Sequence, residues 1–102
     1  MTRYFISAGI ELQDGADLRE TEAGLRDLAL KTQDEPDCHL FEIRQNRKDP
    51  RKFTLWESWT DKKALEAHFE MPHTKAFLAR NLTKVNYIEE LSEIGALEAV
   101  DA

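Results

Sequence analysis

Apolar residues along this chain recur at every second position, then at every third or fourth, and the pattern runs through that switch twice. Tyr4, Ile6, Ala8, Ile10 and Leu12 share one face, with Phe5, Ser7, Gly9 and Glu11 on the other, which is a strand. Gln13-Asp14-Gly15 is turn chemistry. Leu18, Leu25, Leu28, Ala29 and Thr32 then form a helical stripe. Asp17 and Glu20 have the spacing of a capping box at its start, and Pro36 stops it. Cys38 to Arg47 reads as a second strand, with Phe41 and Ile43 on one face and Leu40 and Glu42 on the other. Lys48-Asp49-Pro50 turns the chain into a third strand, Lys52 to Thr60. Thr60 or Asp61 caps the next helix, whose apolar side carries Ala64, Leu65, His68 and Phe69. Pro72 interrupts that helix and restarts it, and Ala76, Phe77 and Leu82 continue the apolar side. The last strand is expected from Tyr87 to Ile94, with a tail from Gly95.

Strand, helix, strand, strand, helix, strand is the split βαβ order of a ferredoxin-like α+β domain. It predicts a four-stranded antiparallel sheet with both helices on one face. A chain of 102 residues has room for one such domain, with a core from about residue 3 to 95. Phe53, Leu55 and Trp59 fall on one side of the third strand and Trp56 on the other, so both sheet faces are apolar. With no third layer in the sequence, a second copy of the chain is the expected cover, which predicts a homodimer.

The composition, 41% hydrophobic and 33% charged, is that of a folded domain. The net charge of −6 argues against nucleic acid as a partner. Arg44, Arg47, Lys48, Arg51 and Lys52 do cluster, but they flank a turn and read as a solvated hairpin tip. Cys38 is the single cysteine, which excludes an internal disulfide, a CxxC pair and a zinc ribbon. No segment is apolar for long enough to span a bilayer, and Met1 to Leu12 makes a poor signal peptide. A cytoplasmic location without membrane contact is the expectation.

Three ionisable residues fall where chemistry is possible. Glu57 lies between Leu55 and Trp59 on one strand face, where lost solvation raises a carboxyl pKa and prepares a general acid or base; a structural ion pair or simple edge exposure is the competing reading. His68 sits on the apolar side of its helix, aimed at the sheet. His73 follows Pro72 near a helix N-terminus, which favours the neutral imidazole that accepts protons. Either histidine taken alone reads first as a helix-end residue bonded to backbone. His68 and His73 are five apart, off one regular helix face, so a two-histidine site with Glu57 is disfavoured and no metal is expected. Trp56 and Trp59 are first of all core residues and secondly candidate walls for a planar ligand. Phosphate-loop and nucleophile-elbow motifs are missing.

Phe53-Thr54-Leu55-Trp56-Glu57-Ser58-Trp59-Thr60-Asp61, Ala64-Leu65-Glu66-Ala67-His68-Phe69 and Pro72-His73-Thr74-Lys75-Ala76-Phe77 together resemble the signature of the antibiotic biosynthesis monooxygenase domain. Cys38-His39-Leu40-Phe41 and Gln45 are similar as well, and the flavour is that of the quinol monooxygenase-like branch. The resemblance implies a dimeric α+β barrel with a pocket between sheet and helices in each subunit. It implies oxidation of a small hydroxylated aromatic or quinol by O₂ without metal, haem or flavin. By the same resemblance Glu57, His68 and His73 are the catalytic candidates, and Trp59, Phe53, Leu55, Phe69 and Phe77 would line the substrate pocket. A related branch isomerises a phosphorylated sugar with a similar motif, and a non-catalytic ligand-binding dimer is a third class. A haem-degrading branch uses an Asn and a His where this chain holds Ala8 and Leu78, which argues against that activity.

Overall fold

The computed structural model describes residues 3–94. Its elements are β1 (Tyr4–Leu12), α1 (Leu18–Gln33), β2 (Cys38–Gln45), β3 (Lys52–Trp59), α2 (Lys62–Glu70), α3 (Pro72–Ala79) and β4 (Thr83–Leu91). The strands form one antiparallel sheet in the order β2-β3-β1-β4, the ferredoxin-like arrangement. No helix among the described residues is long and apolar enough to cross a membrane.

Local chemistry sets the helix ends. The Asp17 carboxylate accepts from the Glu20 backbone N–H at 2.8 Å, which satisfies one of the free donors of α1. The reciprocal half of the capping box is replaced, because the Glu20 carboxylate accepts from Arg80 instead, at 3.3 Å. Asp61 caps α2 in the same way through the Ala64 N–H, at 2.9 Å. Pro72 begins α3 as its first helical residue, so the expected two helices are three. Gly24 lets α1 approach α3: a Cβ there would fall 3.2 Å from Phe77 Cε1 and 2.9 Å from Arg80 Nη1.

The helix-facing side of the sheet carries Ile6, Ala8, Ile10 and Leu12 of β1, with Phe41 from β2 and Phe53, Glu57 and Trp59 from β3. Leu25 and Leu28 of α1, Phe77 of α3 and Leu82 close over one end. Ile6, Ala8, Phe41 and Trp59 form the core at the other end. On the helix-free side, Phe5 stacks on Trp56 with centroids 5.8 Å apart, and the Tyr87 ring lies against Gly9. Trp56, Tyr87 and Leu91 are all partly exposed on that face.

Several boundaries and one burial differ from the expectation. β2 ends at Gln45, because Asn46 leaves the strand to build the turn, its Oδ1 accepting from the N–H groups of Lys48 and Asp49. β3 ends one residue early, at Trp59. Ala76 is exposed rather than part of the apolar side. β4 begins at Thr83 and ends at Leu91, earlier at both ends than Tyr87 to Ile94. The register shifts between Gly9 and Ile10, where Gly9 pairs with Tyr87 and Ile10 with Val85. The extra residue, Asn86, brings Val85 and Ile88 to one face and breaks the alternation by which a strand is read. The expected tail from Gly95 lies outside the described residues.

Candidate functional site

Between the sheet and the helices lies an apolar cavity of about 360 Å³. Ile6, Ala8 and Ile10 of β1 form its floor, with Leu55 and Glu57 of β3 beside them. His68 and Phe69 of α2 and Phe77 and Leu78 of α3 form the roof. The β4 side is open, where Val85 and Ile88 line the mouth and remain more than half exposed. Lys62 and Glu90 also reach the rim and pair with each other at 3.9 Å.

Strand period two points Glu57 into this layer, opposite Ile6 and Phe41, and leaves it 5% exposed. Burial pushes its carboxyl up to about 7; the Glu35 charge adds to that shift, and the indole N–H of Trp59 works against it. That N–H donates to Glu57 Oε1 at 2.9 Å. His68 is 4% exposed and packs between the rings of Trp59 and Phe41, with centroids at 5.0 and 5.5 Å. Its pKa is lowered, chiefly by burial, against the opposing hydrogen bond and charge of Glu35. Two groups lining one cavity are therefore both pushed toward their neutral forms, a carboxylic acid and a free imidazole.

The partner of His68 is not Glu57. It is Glu35, in the turn between α1 and β2, whose Oε2 lies 2.8 Å from His68 Nδ1 and 2.6 Å from His73 Nε2. Thr74 Oγ1 stands 3.3 Å from the same His68 nitrogen. A carboxylate has acceptors and no donors, so both ring nitrogens donate to it. His68 Nε2 is then the nitrogen left available to a ligand.

The other expected site residues divide. Leu55, Phe69 and Phe77 line the cavity beside Glu57 and His68. Phe53 does not: it packs in the core and borders a separate shallow cleft beside α1. Trp59 does not either. It is 0% exposed, sealed by Phe41 and His68, and meets the cavity only through the lining residues it touches, Glu57 by a hydrogen bond and His68 by ring packing. His73 lies outside the lining and is held by Glu35. The basic side chains around Arg44 do not reach the cavity, and Arg44 itself pairs with Glu42. Burial pushes the Cys38 thiol up to about 11, which removes it as a nucleophile at neutral pH.

Sequence pattern alone misses Glu35. It belongs to no helix or strand, so no periodicity marks it as buried. The only hint is that two histidines on an apolar layer need a partner. The set that could offer ligands to a divalent ion is likewise Glu35, His68 and His73, whose ligating atoms lie within 4.8 Å of one another, and not the pair with Glu57. These atoms are already hydrogen-bonded among themselves.

Residues 4–80 match the model of the antibiotic biosynthesis monooxygenase family. The chain is 27% identical over 88 residues to the uncharacterized protein YjcS of Bacillus subtilis (strain 168), which covers 86% of this chain and 84% of that protein. A solved structure of protein YJCS superposes with a TM-score of 0.83 at 26% identity, over 90% of this chain and 99% of that one. PA3566 from Pseudomonas aeruginosa gives a TM-score of 0.75 at 25% identity, over 91% of this chain and 93% of that one. A crystal structure of an antibiotic biosynthesis monooxygenase shares the fold, with a TM-score of 0.74 at 22% identity over 89% of this chain and 96% of that one.

Proposed function

This chain belongs to the antibiotic biosynthesis monooxygenase family, and from that premise we propose that it oxidises a small hydroxylated aromatic or quinol with O₂, without metal, haem or flavin. The observation that carries this reading is the neutral acid and neutral base on one apolar cavity. Glu57 is pushed up to about 7 and His68 is pushed down, so near neutrality one can give a proton and the other can take one. A phenol entering the cavity leaves water behind, which strengthens both contacts.

His68 Nε2 takes the phenolic proton, and the electron-rich anion is the reductant. O₂ adds to the activated ring carbon. The peroxide anion takes back the proton held on His68 and becomes a hydroperoxide. The hydrogen on the same carbon then leaves as a proton to His68, the carbon becomes a carbonyl as the O–O bond breaks, and Glu57 protonates the departing hydroxide to water. The proton left on His68 returns to Glu57, so one O₂ gives one oxygenated product and one water. The apolar lining of Leu55, Phe69 and Phe77 holds the ring. The test is O₂ consumption with a panel of reduced naphthoquinols and hydroxylated anthrones, using protein freed of metal by chelation. We expect one O₂ taken up per product formed and loss of turnover under argon. Oxygen-independent conversion, or turnover restored only by added metal or flavin, would overturn the reading.

The sugar-phosphate isomerase alternative finds less support. Lys62 is the only cationic side chain among the described lining residues and it is paired with Glu90, while Glu66 adds a further negative charge. A phosphate dianion would meet repulsion there.

We also infer that the working form is a homodimer joined through the helix-free sheet face. Phe5, Trp56, Tyr87 and Leu91 share that face, and no element among the described residues covers it. Sedimentation equilibrium at micromolar concentration should give twice the chain mass, with an interface on the order of 2,000 Å² in total. A stable monomer would refute it, and Trp56→Glu should dissociate the pair.

A further inference from the structure

We propose that Glu35 is the positioning residue of this site: its carboxylate holds His68 with the proton on Nδ1 and Nε2 free toward the cavity, and it commits His73 to a supporting role behind it. The inference rests on the function proposed above for its catalytic consequence, but its structural content stands without it.

Three observations carry it. First, Glu35 is buried at 7% exposure on the side of the histidines away from the cavity lining, so it touches no substrate. A carboxylate removed from water survives only with strong donors, and it has two, at 2.8 and 2.6 Å. Second, its backbone is pinned at both ends. Its N–H donates to the Thr32 carbonyl at the end of α1, and its own carbonyl accepts from the Cys38 N–H at the start of β2. Pro36 and the left-handed Asp37, at φ 66°, hold the turn that follows. Third, one carboxylate oxygen serves both rings, so both tautomers are set together. His68 gains a free Nε2 and His73 loses the use of its own.

An oriented imidazole backed by a buried carboxylate is the arrangement that stabilises the imidazolium once a proton has been taken. The charged and titratable groups that face this carboxylate come from four elements: His68 of α2, His73 of α3, Cys38 of β2 and Glu57 of β3. Its charge favours the protonated form of His68 and disfavours the ionised forms of Cys38 and Glu57.

The test combines spectroscopy and kinetics on the full chain. In wild type, ¹⁵N–¹H correlation of the histidine rings should give His68 as the Nδ1–H tautomer and His73 as the Nε2–H tautomer. Glu35→Gln keeps the size but loses the charge, and its amide oxygen is a weaker acceptor for two ring N–H groups than the carboxylate oxygen that now holds both. We expect at least one of the two tautomers to change and the His68 titration to move to lower pH. The kcat on an oxidisable quinol should fall at least about tenfold, with KM little altered. Glu35→Asp, which keeps the charge, should restore part of the tautomer signature and of the rate. The opposite His68 tautomer in wild type would overturn the proposal even if no variant folds. So would a folded Glu35→Gln with unchanged tautomers and titration. If no quinol is turned over, the spectroscopic result still decides the role of Glu35, so its failure and that of the proposed activity are separable.

Discussion

Replacing His68 with alanine should lower turnover of an active quinol by about 10²- to 10⁴-fold, the range for losing a positioned general base. His68 is the imidazole that lines the cavity, whereas His73 is turned onto Glu35 and away from it. His73→Ala should therefore cost less than His68→Ala, and its cost should resemble that of perturbing Glu35. His68 also fills space among Phe41, Trp59 and Phe69, so alanine leaves a void as well as an unpaired carboxylate. His68→Gln controls for this. It keeps most of the volume and can donate to Glu35, but it supplies no group basic enough to take a phenolic proton. A large rate loss in His68→Gln, with circular dichroism and melting close to wild type, identifies loss of the base. Unchanged turnover in folded variants at both histidines would mean that neither is the base, and Glu57 would then be the remaining candidate.

The difference between the two histidines marks where sequence reasoning stops. Period two alone puts Glu57 on one face of β3 with Phe53, Leu55 and Trp59, and helical spacing alone puts His68 on the side of α2 that packs on the sheet. Both statements concern single elements and need no tertiary information. The position of His73 needs more, because Pro72 reorients the chain by an amount that no spacing rule gives. Trp59 shows the same limit from the other side. Its face is readable, but whether a residue on that face meets a cavity or a sealed core depends on what α2 lays over it, and here His68 and Phe41 close over the indole. Glu35 lies beyond any pattern: its burial is decided by the histidines that arrive from α2 and α3. The start of β4 was hidden for a local reason, the bulge at Asn86, which shifts the phase of an otherwise alternating strand.

The second large effect is on stability. Trp59→Ala should destabilise the fold by about 3–5 kcal/mol, the range for removing a large buried aromatic. Against a total stability of about 5–15 kcal/mol, that removes a large share of what holds the chain folded. Trp59→Phe separates packing from the hydrogen bond. It retains most of the apolar contact with Phe41 and His68 and removes only the indole N–H that Glu57 accepts. The sign of its pH dependence follows from Glu57. Its folded pKa of about 7 lies above the ordinary glutamate value of 4.5, so the folded state binds the proton more tightly than the unfolded chain. The stability this contributes is full below about pH 4.5 and is lost as pH rises through about 7. The indole N–H favours the ionised carboxyl, so deleting it raises the folded pKa further and makes the charged state costlier. The gap in unfolding free energy between wild type and Trp59→Phe should therefore be small at pH 5 and widen by about 1–3 kcal/mol by pH 8 or 9. Denaturant titration at those pH values measures it. Other groups, His68 included, titrate in both proteins and largely cancel in the difference. An equal gap at both pH values would show that Glu57 does not change charge across neutrality, and with it would go the neutral acid on which proton delivery to the departing oxygen depends.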